Sequence, residues 1–239
     1  MRKSGGISAN ALKKAVESLK SGITGLELDK IVKDEIYRLG GELSYKTVPG
    51  FDWASCITIN EQVVHGIPSN RKVEKGDLVS VDLAAMYKGW HTDTAWSVLV
   101  EDGDSKKAEF LSIGEEALWL GIKQAVDGKR IGDISNAIQS KVEGAGHKIV
   151  RSLVGHGVGR KLHEDPEIPG YGEAGTGELL KEGMTIAIEV IYTMGTSEVV
   201  LGEDGWTYSS VDGSPAGLFE MTVIVGKKEA EVLTDWRRV

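Results

Sequence analysis

A single cysteine, Cys56, in 239 residues excludes an internal disulfide and any cysteine-based zinc finger. Proline is scarce at five residues, and no Pro- or Ser-rich stretch reads as a linker. Basic side chains are in deficit: 28 Lys and Arg against 36 Asp and Glu leave a net charge of −8. Such a chain is a poor non-specific binder of nucleic acid, which needs a basic face to neutralise phosphates. No run of ~18 apolar residues is present, so no membrane span is expected. The opening Met1-Arg2-Lys3-Ser4-Gly5-Gly6 has no apolar core of signal-peptide length, so a cytoplasmic protein is the expectation.

What is present is an ordinary globular balance, 41% hydrophobic and 27% charged, which excludes disorder and collagen-like repeats. Length at ~150 residues per domain allows one large domain or two small ones, and the missing linker favours a single domain over residues 1–239. Glycine is the one unusual count, 31 residues where ~7% is typical, which implies many tight turns and close backbone approaches.

Along the chain, residues 7–19 carry apolar side chains at helical spacing, with Gly22 placed as a C-cap. Thr24 and Glu27 read as a capping box that opens a second helix, stopped by Gly40-Gly41. From residue 45 to 100 the pattern becomes short, β-branched and alternating, with a turn at Tyr87-Lys88-Gly89 between strands over 78–86 and 90–100. The order then repeats. Helical patterns over 109–123 and 131–142 precede strand-like segments over 149–154, 184–192, 198–201 and 218–225. Two helices followed by strands, twice over, predict an α+β protein of two similar halves.

The chemistry starts at that turn. If its two-residue loop is Tyr87-Lys88, Asp82 faces Asp93 directly; if it is Lys88-Gly89, Asp93 faces Ala84 and Asp82 is the diagonal neighbour. Either register puts two carboxylates roughly 5–8 Å apart on one face of a half-buried hairpin, which is destabilising without a cation. Glu189, in Thr185-Ile186-Ala187-Ile188-Glu189-Val190-Ile191, and Glu220, in Leu218-Phe219-Glu220-Met221, repeat the anomaly. Neither strand holds a Lys or Arg to pair with them. An edge-strand acid facing water would explain one such residue more easily than four. His156, between Gly155 and Gly157, reads alone as a loop histidine. With the four carboxylates it completes an oxygen-rich, one-nitrogen set suited to Mn, Fe, Co or Zn ions. Four negative charges are balanced by two divalent ions better than by one.

Other signatures are absent. His163-Glu164-Asp165-Pro166-Glu167 is not a His-Glu-x-x-His helix, and neither a G-x-G-x-x-G loop nor a Gly-x-Ser-x-Gly elbow occurs. Cys56 reads as a buried small hydrophobe with nothing local to activate it. His91 shares the alternation phase of Asp93 and reads as structural rather than as a ligand, and His147 as a solvated loop residue.

Asp82, Asp93, His156, Glu189 and Glu220 stand in the order and spacing of the dinuclear site of the pita-bread peptidases. Val64-His65-Gly66-Ile67-Pro68 and the opening Met1-Arg2-Lys3-Ser4-Gly5-Gly6-Ile7 resemble the type I methionine aminopeptidases in particular. The resemblance spans essentially the whole chain; the gap between His163 and Glu189 is too short for the large insertion of the type II enzymes, and a single catalytic domain with no extra N-terminal domain is the expectation.

It implies a pita-bread fold, a central antiparallel sheet covered by helices, and a metal-dependent hydrolase. Such an enzyme removes the N-terminal methionine from nascent proteins and peptides with a small second residue. By the resemblance, Asp82 and Asp93 hold one metal, His156 and Glu189 complete the second, and Asp93 and Glu220 bridge. His65 and His163 correspond to outer histidines that contact substrate, Glu189 to a proton shuttle, and Phe51, Cys56, Leu162 and Trp206 to the methionine pocket. Two divalent ions are implied as cofactors, peptide N-termini as partners with transient ribosome contact, and a monomer. Departures are Val190 where proline is common, Met221 where histidine is common, Leu218 for glutamine, and Val48 at an often aromatic pocket position. The alternatives are an Xaa-Pro aminopeptidase or dipeptidase on the same fold, or a non-catalytic module that binds protein or ribosome.

Overall fold

The structure, a computed structural model, describes residues 1–101 and 104–239. Two helices open it, α1 (Arg2–Ser18) and α2 (Gly25–Arg38). The capping box at α2 forms as the sequence predicts: Glu27 N donates to Thr24 Oγ1 at 3.2 Å, and Thr24 N donates to the Glu27 carboxylate at 2.9 Å. α1 begins well before the apolar pattern does. Its first turns lie against the C-terminal segment, where a Cβ on Gly5 would stand 2.5 Å from the Leu233 carbonyl oxygen, so packing overrides the weak helix propensity of Gly5-Gly6. Leu19 rather than Gly22 is its C-cap; Gly22 (φ 90°) sits in the turn that follows.

The strands of the first half are β1 (Glu42–Leu43), β2 (Ser55–Ile59), β3 (Gln62–Val64), β4 (Leu78–Tyr87) and β5 (Trp90–Leu99). Tyr87 pairs with Trp90, so the hairpin loop is Lys88-Gly89, with φ of 52° and 73° at the two positions. Positive φ at both central residues is the signature of a tight turn that matches strand twist. Of the two registers open in the sequence, this selects the one with Asp93 opposite Ala84.

The second half repeats the plan with α3 (Ser105–Ile122) and α4 (Ile131–Gly144). Its strands are β6 (Lys148–Ile149), β7 (Gly155–Gly157), β8 (Glu164–Ile168), β9 (Thr185–Thr193), β10 (Val199–Leu201), β11 (Tyr208–Ser210), β12 (Ala216–Ile224) and β13 (Glu231–Val232). The strand expected over 149–154 is cut to β6, and β8 and β11 come without a sequence signal. His156 is a strand residue in β7 and not a loop histidine. His147 is half-buried with its ring 4.9 Å from that of Phe110, so it is not a solvated loop residue.

The main sheet runs β1-β4-β5-β12-β9-β7-β8, all antiparallel, and β5 and β12 meet at its centre. Strand alternation divides its two faces. Val79, Val81, Leu83, Trp96, Ile186, Ile188, Val190, Phe219, Met221 and Val223 join residues of all four helices in one continuous core. The opposite face carries Asp82, Asp93, Glu189 and Glu220.

Candidate active site

Two adjacent rungs of the sheet build the site. Along the first, Asp82 pairs with Ala95, Ala95 with Glu220, and Glu220 with Glu189, across β4, β5, β12 and β9. One rung over, Ala84 pairs with Asp93, Thr222 Oγ1 binds both backbone groups of Asp93, Thr222 pairs with Ala187, and Ala187 with His156. Cross-strand partners share a face, so all five chemically active side chains project to one side. The positions between them are mostly alanine, which leaves open space beside the carboxylates.

β7 brings the imidazole to the rung by fitting between β8 and β9. A Cβ at Gly155 would stand 2.5 Å from the Ala187 carbonyl oxygen, and one at Gly157 would stand 2.2 Å from that of Asp165. The flanking glycines are there for close backbone approach. Nδ1 of His156 donates to the Gly157 carbonyl at 2.9 Å, which leaves Nε2 as a bare acceptor. That nitrogen faces Glu189 at 3.8 Å, Asp93 at 3.9 Å and Glu220 at 4.0 Å. Burial lowers the His156 pKa to about 4, so these contacts join a neutral ring to acids and are not ion pairs at neutral pH.

No Lys or Arg forms an ion pair with any of the four carboxylates among the described residues. Burial pushes Asp82 up to about 7, against the opposing pull of the Tyr45 hydroxyl. Burial, then repulsion from the neighbouring carboxylates, drives Asp93, Glu189 and Glu220 well above the usual carboxylate range. Glu220 Oε1 is buried with no hydrogen-bond partner. An orphaned buried carboxylate oxygen, an unprotonated imidazole nitrogen and uncompensated acids form a donor set that fits divalent cations. Three groupings converge closely enough to hold one: Asp82, Asp93 and Glu220; His156, Glu189 and Glu220; and Asp93, His156 and His163. The first two share Glu220 and between them use all five residues expected from the sequence.

The cluster forms the floor of a cavity of about 820 Å³. One wall is an aromatic and apolar group of Tyr45, Phe51, Cys56, Leu162 and Trp206, with Phe51 edge-on to both Tyr45 (5.5 Å) and Trp206 (5.2 Å). A second, separate apolar group that lines the cavity is Val64, Leu153, Ile191 and Leu218. Asp29 of α2 secures the start of β2 behind the first wall, accepting from Ala54 N, Ser55 N and Ser55 Oγ at 2.8–2.9 Å. His65 (φ 56°) and His163 also line the cavity, His163 with its ring 4.4 Å from that of His156. Both side chains reach solvent, yet partial desolvation in the cavity lowers the pKa of each and favours the neutral ring. Burial raises the Cys56 thiol, in keeping with a wall residue and not a nucleophile.

The sequence profile of metallopeptidase family M24 matches residues 1–227. The chain belongs to metallopeptidase family M24. It is 40% identical to the methionine aminopeptidase of Clostridium perfringens over 98% of this chain and 94% of that protein. The crystal structure of methionine aminopeptidase from Thermotoga maritima superposes with a TM-score of 0.96 at 41% identity, covering 98% of this chain and 94% of that one. The prolidase from Pyrococcus furiosus matches less closely, with a TM-score of 0.78 at 25% identity, and this chain covers 62% of it. The architecture is therefore the pita-bread fold of M24 enzymes, and the chain is a metal-dependent hydrolase.

Within this M24 chain the four departures separate by face. Val190 and Met221 point into the helix-side core and do not line the cavity, whereas Val48 and Leu218 do line it. His91 lies outside the site: its Nδ1 is 2.7 Å from Ser44 Oγ, and its backbone N donates to Gly159 O. Sequence reasoning missed Tyr45, whose hydroxyl donates to Asp82 Oδ1 at 2.5 Å. No local pattern marks it, because the contact joins a turn to a strand 37 residues away.

Proposed function

We propose that this chain is a methionyl aminopeptidase that hydrolyses the first peptide bond of proteins and peptides beginning with methionine and a small second residue. The observation that carries it is the pair of rungs on which Asp82, Glu220, Glu189, Asp93 and His156 converge beside an aromatic pocket. Asp82, Asp93 and Glu220 would hold one divalent ion, and His156, Glu189 and Glu220 the second, with Asp93 also reaching across. Bound there, the ions supply Lewis acidity and a water that ionises near neutral pH.

The remaining steps belong to the chain's own residues. Phe51, Cys56, Leu162 and Trp206 take the methionine side chain. They discriminate by hydrophobic fit, where one methylene is worth only ~1–3 kcal/mol, so norleucine is accepted as well. The free α-amine sits at the carboxylate cluster, which limits cleavage to the first residue. His163 and His65, both neutral, donate to the scissile amide and to the charge that develops on its carbonyl oxygen. Glu189 holds the proton taken from water and passes it to the leaving amine.

Residues 1–239 act as one catalytic domain, supported by the single core that both helix pairs share. Nascent chains in the cytoplasm are the proposed substrates, met by a monomer in transient contact with the ribosome. This part rests on the likeness to the M24 relatives, together with the finding that no helix among the described residues is long and apolar enough to cross a membrane.

The test is cleavage of Met-Ala-Ser against Met-Pro and Ala-Pro peptides, with metal content measured in parallel. Wild type releases methionine from the first peptide, and Asp93→Ala loses both turnover and bound metal. Turnover retained by Asp93→Ala in metal-free buffer would overturn the assignment, and preference for Ala-Pro would make the chain a proline-directed enzyme.

A further inference from the structure

Tyr45 belongs to a single 3₁₀ turn, Ser44–Thr47, between β1 and β2. His91 anchors that turn through Ser44, and Thr47 Oγ1 closes it by donating to the Ser44 carbonyl at 2.7 Å. The ring is buried edge-on against Phe51, and its hydroxyl is aimed into the acidic cluster. That hydroxyl donates to Asp82 Oδ1 at 2.5 Å and lies 3.3 Å from Asp93 Oδ1. Asp93 has one further donor, the Thr94 backbone N at 3.0 Å. Among the described residues, no other side chain donates a hydrogen bond to any of the four carboxylates.

We propose that Tyr45 is a positioning residue for one half of the metal centre, fixing the Asp82 carboxylate so that the cation of the Asp82, Asp93 and Glu220 group binds more tightly than it otherwise would. The proposal rests on the reading of the cluster as a metal site. A carboxylate offers about four lone-pair sites, so one donor at Oδ1 orients the group and still leaves sites for a cation. A phenol is well suited to this. Its ring is held by packing on Phe51, so the hydroxyl has little freedom to follow Asp82 if the carboxylate turns. Hydrogen-bond partners that orient metal ligands commonly matter 10–100-fold in affinity.

The contact is weighted to one side: its short bond goes to Asp82, which belongs to a single cation grouping, and only the longer approach of 3.3 Å reaches Asp93. Glu189 receives no hydrogen bond from Tyr45, and His156 is oriented separately by the Gly157 carbonyl. The two ions should therefore differ in their dependence on Tyr45. The same ring is a wall of the side-chain pocket, so one residue shapes both the pocket and the Asp82 side of the centre.

The experiment is calorimetric titration of chelator-stripped protein with Mn²⁺ alone, for wild type and Tyr45→Phe, with thermal melts of both stripped forms. Phenylalanine keeps the ring and removes only the hydroxyl, so the stripped variant should remain folded. The expected result is two binding events in wild type, with one weakened about 10–100-fold in Tyr45→Phe and the other unchanged. Identical isotherms would overturn the proposal, as would equal weakening of both events. Wild type that takes up no Mn²⁺ would instead overturn the reading of the cluster, which separates the two failures.

Discussion

Glu220 is only 3% exposed, has Phe219 and Met221 as chain neighbours, and leaves one carboxylate oxygen without a partner. Left as an anion in that setting it would cost several kcal/mol, which is why its apolar strand marks it as functional before any geometry is known. Asp82, Asp93 and Glu189 are legible for the same reason. The outer histidines are less so, because His163 is exposed and its nitrogen comes near Asp93 and His156, close enough for a third cation grouping. Activity and metal content together decide its role. Replacing His163 with alanine should lower kcat about 10²–10³-fold, the usual effect of removing a donor to a developing oxyanion, while bound metal stays at the wild-type level. A matched fall in metal content would make His163 a ligand.

Among the elements, β7 shows where the sequence runs out. Gly155-His156-Gly157 has no alternation and only three residues, and it is a strand because β8 and β9 hydrogen-bond to it from either side. A Cβ at Gly157 has no room beside the Asp165 backbone, and the Gly157 carbonyl is what fixes the His156 tautomer. Gly157→Ala should therefore destabilise the protein by about 1–3 kcal/mol, the range for overpacking, and weaken metal binding as well. A melting curve and a Mn²⁺ titration check both, and a loss of stability with unchanged affinity would mean that the strand shifts without turning the ring. By contrast, α2 and the β4–β5 hairpin were readable because their signals are local: a capping box, and a Tyr87-Lys88-Gly89 turn between alternating strands, although the loop's register waited on the structure. Tyr45 was not, since nothing within its own turn reveals that its hydroxyl ends on Asp82.

At the scale of the whole molecule, two helix pairs each bring a pair of strands to the middle of one sheet, and each pair of strands carries two acids. The repeated order of elements shows this in the sequence, but the meeting of β5 and β12 that joins the halves does not. The cost of that union is electrostatic and depends on pH. In the metal-free fold, burial holds Asp82 at about 7 and the other three acids well above their ordinary values. In the unfolded chain they titrate near the usual ~4. Between those values the folded state keeps protons that the unfolded state has released, so these four acids contribute stability at low pH that is lost as pH rises through their folded pKa values, whereas buried His156, lowered to about 4, opposes them below the ordinary histidine value of ~6.5. Bound divalent ions supply the missing countercharge and hold the acids ionised in the folded state, which removes that fall and makes loading itself favour higher pH. Melting of chelator-stripped protein should therefore decline from about pH 6.5 to 8, above the range in which the unfolded histidines titrate, and the gap to the Mn²⁺-loaded form should widen over the same interval. Parallel curves for the two forms would show that these four carboxylates do not carry the coupling between cation binding and fold stability.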